Sequence, residues 1–120
     1  MAHILIIDDD PNVRLMLRRM LEHQGYTITE ASDGIEGIKR FHENKFDLII
    51  TDLIMPDKEG IETINELKKE DPAIKIIAMS GGGRCKPDSH LTTAKLLGAD
   101  AIFEKPFIKE RLLSVIRELI

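Results

Sequence analysis

With one cysteine, Cys85, the sequence holds no pair from which an internal disulfide could form. Long hydrophobic runs are missing too: stretches such as Ile4 to Ile7 and Leu48 to Ile50 are far too short to span a bilayer. The N-terminus lacks the basic-then-apolar pattern of a secretory signal. Positive charge is not in excess either. Lys+Arg number 17 against 21 Asp+Glu, a net charge of -4, the wrong sign for a domain that binds by neutralising nucleic-acid phosphates. No linker, low-complexity stretch or internal repeat divides the chain. The expectation is a soluble cytoplasmic protein with neither nucleic acid nor membrane as a partner. What is present suits one domain: 120 residues, 42% of them hydrophobic, are enough to bury about two thirds of the unfolded surface.

Short apolar runs alternate with segments of helical period, the pattern of a parallel sheet wrapped by helices. The strand candidates are His3 to Ile7, Tyr26 to Glu30, Asp47 to Thr51, Ile74 to Met79 and Ala101 to Glu104. The first, third and fourth are apolar enough to be buried on both faces. Between them Val13, Met16, Leu17, Met20 and Leu21 form one wide helical stripe, and Leu112, Leu113, Ile116, Leu119 and Ile120 form another. Narrower stripes are Ile35, Ile38 and Phe41, then Ile61, Ile64 and Leu67, then Leu91, Ala94 and Leu97. Pro11 suits a first helical position, Gly25 and Gly98 suit helix C-caps, and Pro72 follows the third helix. The expected fold class is α/β: a (βα)5 doubly wound, five-stranded parallel sheet of order 2-1-3-4-5, flavodoxin-like.

In such a sheet the ligand site forms outside the carboxyl ends of the strands, where strand order reverses. The first strand runs into Asp8-Asp9-Asp10, the third into Thr51-Asp52, the fourth into Ser80 and the fifth into Lys105. Reversal between strands one and three brings Asp8, Asp9 and Asp52 together. Gathered carboxylates repel unless a cation neutralises them, and an oxygen-only donor set favours a hard ion such as Mg²⁺. That combination suits phosphoryl chemistry: a carboxylate nucleophile, Asp52, with a metal, Lys105 and the Ser80 hydroxyl sharing the charge of the phosphoryl oxygens. Gly81-Gly82-Gly83 lacks the Lys-Ser/Thr ending of a P-loop and is read as a loop.

The segments ILIIDDD, LIITDLIMPDKEG, IIAMSGG and FEKPF together resemble the receiver domain of bacterial two-component response regulators, and the likeness covers essentially the whole chain. The resemblance implies one receiver domain over residues 1–120, with no separate output domain, acting as a phosphorylation-dependent switch that catalyses its own aspartyl phosphorylation and dephosphorylation. It implies Asp52 as phosphoacceptor, Asp9 as a direct Mg²⁺ ligand, Asp8 as a ligand through water, and Ile54 as donor of a backbone carbonyl to the metal. Ser80 and Lys105 correspond to the hydroxyl and the counter-charge, and Pro106 follows a cis Lys-Pro bond in the family. The implied partners are a sensor histidine kinase or histidine phosphotransfer protein and a downstream protein, with Asn12, Val13, Met16, Pro106 and Phe107 as docking candidates. Ile54 and Gly82 correspond to the residues that flank the path of the hydrolytic water; neither has a polar side chain, so slow spontaneous dephosphorylation is expected. Two departures stand out: Ile102 occupies a usually aromatic position, and the glycine-rich loop after Ser80 is longer than the common form.

A hydrolase of the haloacid dehalogenase type is the rival, since Asp8-x-Asp10, Ser80 and Lys105 match its order of groups. It leaves Asp52 unexplained and lacks a late acidic motif, for which only Glu110 and Glu118 are available. Asp10 before Pro11 reads as a helix cap, and so does Asp33, with Glu36 completing a capping box. His3, His23, His42 and His90 are scattered and read as surface histidines.

Overall fold

The structure, a computed structural model, describes residues 2–53, 60–81, 98–105 and 107–120. Five strands, β1 (His3–Ile7), β2 (Thr27–Ala31), β3 (Leu48–Asp52), β4 (Lys75–Gly81) and β5 (Ala101–Lys105), form one parallel sheet in the order β2-β1-β3-β4-β5. Four helices among the described residues, α1 (Pro11–His23), α2 (Gly34–Glu43), α3 (Gly60–Glu70) and α4 (Lys109–Leu119), cover it. The expected helix through Leu91, Ala94 and Leu97 lies outside the described residues, as do Cys85, His90 and the loop residues Gly82 and Gly83.

Strand residues alternate between the two faces of the sheet. Ile4, Ile6, Leu48, Ile50, Ile77 and Met79 pack on one face with Leu17 and Leu21 of α1 and Leu112, Leu113 and Ile116 of α4. Leu5, Ile7, Ile49, Ile76 and Ala78 pack on the other with Ile64 and Leu67 of α3. Each fully buried Leu or Ile contributes roughly 1.5–3 kcal/mol, so these two layers hold the strand ends in place. β1, β3 and β4 are buried on both faces, as their apolar runs imply.

β2, β3 and β4 begin one residue later than the expected strands. The Tyr26 N–H bonds the Leu21 carbonyl and so belongs to the exit turn of α1, while the Asp47 carboxylate accepts the His3 N–H at 2.8 Å as a cap on the sheet. Gly25, with φ of 95°, reverses the chain after α1 in the conformation that disfavours other residues. The α2 stripe is also corrected. Ile35 is 61% exposed, and the buried side of this helix is Gly34 and Gly37, with Ile38 and Phe41 half-buried. A Cβ at Gly37 would run into the Ile7 side chain, so a helix that looked narrow by its apolar residues sits close to β1 through its glycines.

The caps follow their sequence signals. The Asp10 side chain accepts the Asn12 N–H at 2.8 Å with Pro11 in the first helical turn, and Asp33 accepts the Glu36 N–H at 2.8 Å. The return bond of this second cap shifts by one residue: Glu36 accepts the Ser32 N–H, not that of Asp33. Both caps face the carboxyl ends of the strands, so the chain leaves β1 and β2 along fixed paths.

Candidate functional site

Strand order reverses between β1 and β3, and the residues just beyond β1 and at the end of β3 are acidic. Carboxylate oxygens of Asp8, Asp9 and Asp52 lie within 4.8 Å of one another. Asp8 and Asp52 are buried, 2% and 7% exposed, and Asp9 faces solvent. From the end of β5 the Lys105 ammonium donates to Asp8 Oδ2 at 2.7 Å and to Asp52 Oδ2 at 3.3 Å. Burial opposes its charge, but the hydrogen bond to Asp8 and the charges of Asp52 and Asp8 outweigh that penalty and hold Lys105 above its ordinary value.

Among the described residues three carboxylates stand against one ammonium in a half-buried pocket, an excess of negative charge that a divalent cation would offset. The donors are all oxygen, as a hard ion requires, and the pocket opens to solvent at Asp9, which leaves room for retained waters. The residues therefore fit Mg²⁺.

β3 is held so that its last residue reaches this pocket. Asp52 pairs with Met79 of β4, the Leu53 N–H bonds the Met79 carbonyl at 2.9 Å, and Thr51 Oγ1 donates to the Asp52 carbonyl at 3.1 Å. Gly60, the first residue of α3, closes the arrangement. Its N–H bonds the Leu53 carbonyl at 2.9 Å, and a Cβ there would meet the Asp52 carbonyl oxygen and stand 2.6 Å from Leu53 Cα. Only glycine lets the helix start so near the acidic strand end.

Asp8, Asp9, Asp52 and Lys105 are thus brought together, as the strand-end reading expected. Ser80 is buried at the neighbouring strand end, one residue beyond the partner of Asp52 and paired with Glu104 of β5. Ile54, Gly82 and Pro106 lie outside the described residues. Of the docking candidates, Asn12 is exposed and Met16 is 48% exposed, while Val13 and Phe107 pack partly into the α1 and α4 core. Ile102 is half-buried against the face covered by α2 and α3.

Two residues were missed from sequence. Gly60 carried no signal beyond starting an apolar stripe. Arg14 did carry one: it is the fourth residue of α1, near the positive end of the helix dipole where a cation is disfavoured. Its guanidinium donates to the Asp8 carbonyl at 2.6 Å and to Glu30 at 3.2 Å.

The family model described as the response regulator receiver domain matches residues 4–117. The chain is 31% identical to the chemotaxis protein CheY of Halobacterium salinarum, over 98% of this chain and 95% of that protein. It is 32% identical to the transcriptional regulatory protein GlrR of Escherichia coli (strain K12), over 96% of this chain but spanning only 25% of that protein. Among solved structures, the response regulator protein TrrA from Thermotoga maritima in complex with Mg(2+)-BeF is similar over the full length of both chains, with 32% identity and a TM-score of 0.86. Sequence, strand order and the gathering of acids at the strand ends agree, and the chain belongs to the response regulator receiver domain family of two-component signalling.

Proposed function

We propose that Asp52 is the phosphoacceptor of this receiver, taking a phosphoryl group in a Mg²⁺-dependent step that the domain itself catalyses. The observation that carries the reading is the shared Lys105 ammonium, 2.7 Å from Asp8 and 3.3 Å from Asp52, in a pocket where, among the described residues, carboxylates outnumber ammonium groups. An Asp52 carboxylate oxygen attacks phosphorus in line; the new O–P bond forms as the P–N bond to a partner's phosphohistidine breaks, its electron pair returning to the imidazole. Lys105 is poised to pair with a phosphoryl oxygen, and Ser80 supplies a hydroxyl at the adjoining strand end. Asp8, Asp9 and Asp52, with the Ile54 carbonyl, would hold Mg²⁺, which when bound offsets charge on the phosphoryl oxygens. Hydrolysis of the aspartyl phosphate resets the switch.

The donor on this reading is a sensor histidine kinase or a histidine phosphotransfer protein, docking over the exposed Met16 and Asn12 of α1 with Val13 and Phe107, and Pro106, outside the described residues, is the remaining docking candidate. The phosphorylated form shifts the population of a surface read by a downstream protein. We read residues 1–120 as one receiver domain working in the cytoplasm; among the described residues no helix is long and apolar enough to cross a membrane.

The test is incubation with Mg²⁺ and a small acyl-phosphate donor, followed by mass-spectrometric mapping of the added phosphoryl group. It is expected on Asp52, only with Mg²⁺. Label that persists in Asp52→Asn and vanishes in Asp8→Asn would instead support the hydrolase chemistry.

A further inference from the structure

Every polar group of Asp8 is engaged. Its N–H bonds the Ala31 carbonyl of β2 at 3.1 Å, Oδ1 accepts the Asp10 N–H at 2.9 Å, and Oδ2 accepts Lys105. The remaining group, the peptide carbonyl, accepts Arg14 Nη1 at 2.6 Å. That carbonyl belongs to the planar unit linking Asp8 to Asp9, so holding the oxygen also holds the N–H and Cα of Asp9. No described residue bonds the Asp9 carboxylate itself, and its placement rests on the peptide before it.

Arg14 is itself fixed. Its side chain is 18% exposed, Nε donates to Glu30 Oε1 at 3.2 Å, and the other Glu30 oxygen accepts Arg18 Nη1 at 2.8 Å. Two donors at a set angle, one toward β2 and one toward the Asp8 carbonyl, are what a planar guanidinium offers and an ammonium does not. Glu30 also offsets the charge of Arg14, so the pair exerts little net field on the neighbouring acids.

From these contacts we infer that Arg14 is a positioning residue for the cation site: through the Asp8 carbonyl it sets the Asp8–Asp9 peptide and with it the geometry offered to Mg²⁺. The inference rests on the acidic pocket binding Mg²⁺, as proposed above. Orientation and charge make opposite predictions. Mg²⁺ demands near-octahedral ligands at short distance, whereas Ca²⁺ accepts a flexible set. Loss of orientation in Arg14→Met should weaken Mg²⁺ binding about tenfold, as loss of a supporting partner commonly does, and weaken Ca²⁺ binding less. Loss of a positive charge alone would strengthen both ions alike.

Calorimetric titration of the full chain with Mg²⁺ and with Ca²⁺ tests this, using wild type, Arg14→Met, Arg14→Lys and Glu30→Gln. Arg14→Lys, which keeps the charge but cannot hold both acceptors, should show an intermediate loss, and it carries the same test if Arg14→Met fails to fold. Glu30→Gln should shift the preference in the same direction by a smaller factor. Unchanged Mg²⁺ affinity and an unchanged Mg²⁺-to-Ca²⁺ ratio in the Arg14 variants, or equal strengthening of both ions, would overturn the inference. Wild-type Mg²⁺ binding that is lost in Asp8→Asn but kept in Arg14→Met overturns it alone. Absence of Mg²⁺ binding in the wild type overturns the site and the inference together.

Discussion

The two ends of the sheet use the same residue types to opposite effect. At the end where the strands begin, Asp47, Asp100 and Lys68 each have a definite backbone group to serve. Asp47 accepts the His3 N–H at 2.8 Å, Asp100 accepts the Ile76 N–H at 2.8 Å, and Lys68 donates to the Ile74 carbonyl at 2.5 Å and to Asp100 at 3.3 Å. Lys68 pairs with Asp100, and Asp47 serves a neutral peptide N–H. At the end where the strands finish, Asp8, Asp9 and Asp52 crowd together, and among the described residues the Lys105 ammonium faces more carboxylates than it can pair. A fold can tolerate such an excess where solvent and a cation have access. The crowded end is therefore where chemistry is to be sought, and the opposite end shows what the same side chains do when they serve backbone groups.

The contrast can be broken most decisively at its acids. Asp52→Asn should reduce phosphoryl incorporation from an acyl-phosphate donor to background while the metal-free thermal midpoint falls no lower than wild type, because a crowded charge is removed and Lys105 keeps its shorter bond to Asp8. Next in size is Lys105→Met, which takes the Lys105 ammonium away from the buried Asp8 and Asp52. It should cost about 2–4 kcal/mol in the absence of metal, part of it recovered by Mg²⁺, and slow phosphoryl incorporation by about 10² or more. Because folding raises the Lys105 pKa above 10.5, its stabilisation is fully present below that value and is lost as pH climbs through the folded-state value. Denaturant midpoints of wild type and variant should accordingly converge only at strongly alkaline pH.

Gly60→Ala comes third. Its Cβ meets backbone at Asp52 and Leu53, which cannot rotate away, so about 2–3 kcal/mol of stability should be lost and phosphoryl incorporation should slow as the Asp52 strand end shifts. The smallest effect is expected at the end where the strands begin. Asp100→Ala strands the Ile76 N–H and removes the ion pair of Lys68, which keeps its bond to the Ile74 carbonyl, costing about 1–2 kcal/mol by urea denaturation with phosphoryl incorporation unchanged. If removing Asp100 impaired incorporation as much as removing Asp52, the two ends would not differ in the way described.

Much of this was legible in the residues. The apolar runs of β1, β3 and β4 are buried on both faces as expected, and the order is the flavodoxin-like 2-1-3-4-5 expected of alternating strands and helices. The gathering of Asp8, Asp9, Asp52 and Lys105 was legible because they stand at or just beyond the carboxyl ends of strands that lie side by side where strand order reverses. Less legible were features that depend on distance across the fold. Ile35 was assigned to the core because periodicity counts apolar side chains, whereas α2 packs through Gly34 and Gly37, whose lack of a side chain is what permits the contact. Gly60 is invisible to pattern for the same reason. Arg14 stands out in sequence only as a cation in the first turn of α1, and its carbonyl and carboxylate partners, on segments 6 and 16 residues away, come into view only with the fold.

The central claim is that the acids gathered at the strand ends form a site for a divalent cation, and thermal unfolding of the wild-type chain tests it most directly. Midpoints would be compared in saturating Mg²⁺ and in a monovalent salt of matched ionic strength, so that general screening is held constant. A cation that binds only the folded state at 100 times its dissociation constant adds about 2.7 kcal/mol, a shift of several degrees for a domain of this size. The account predicts such a rise in Mg²⁺, lost in Asp9→Asn. Equal midpoints in the two salts would contradict it.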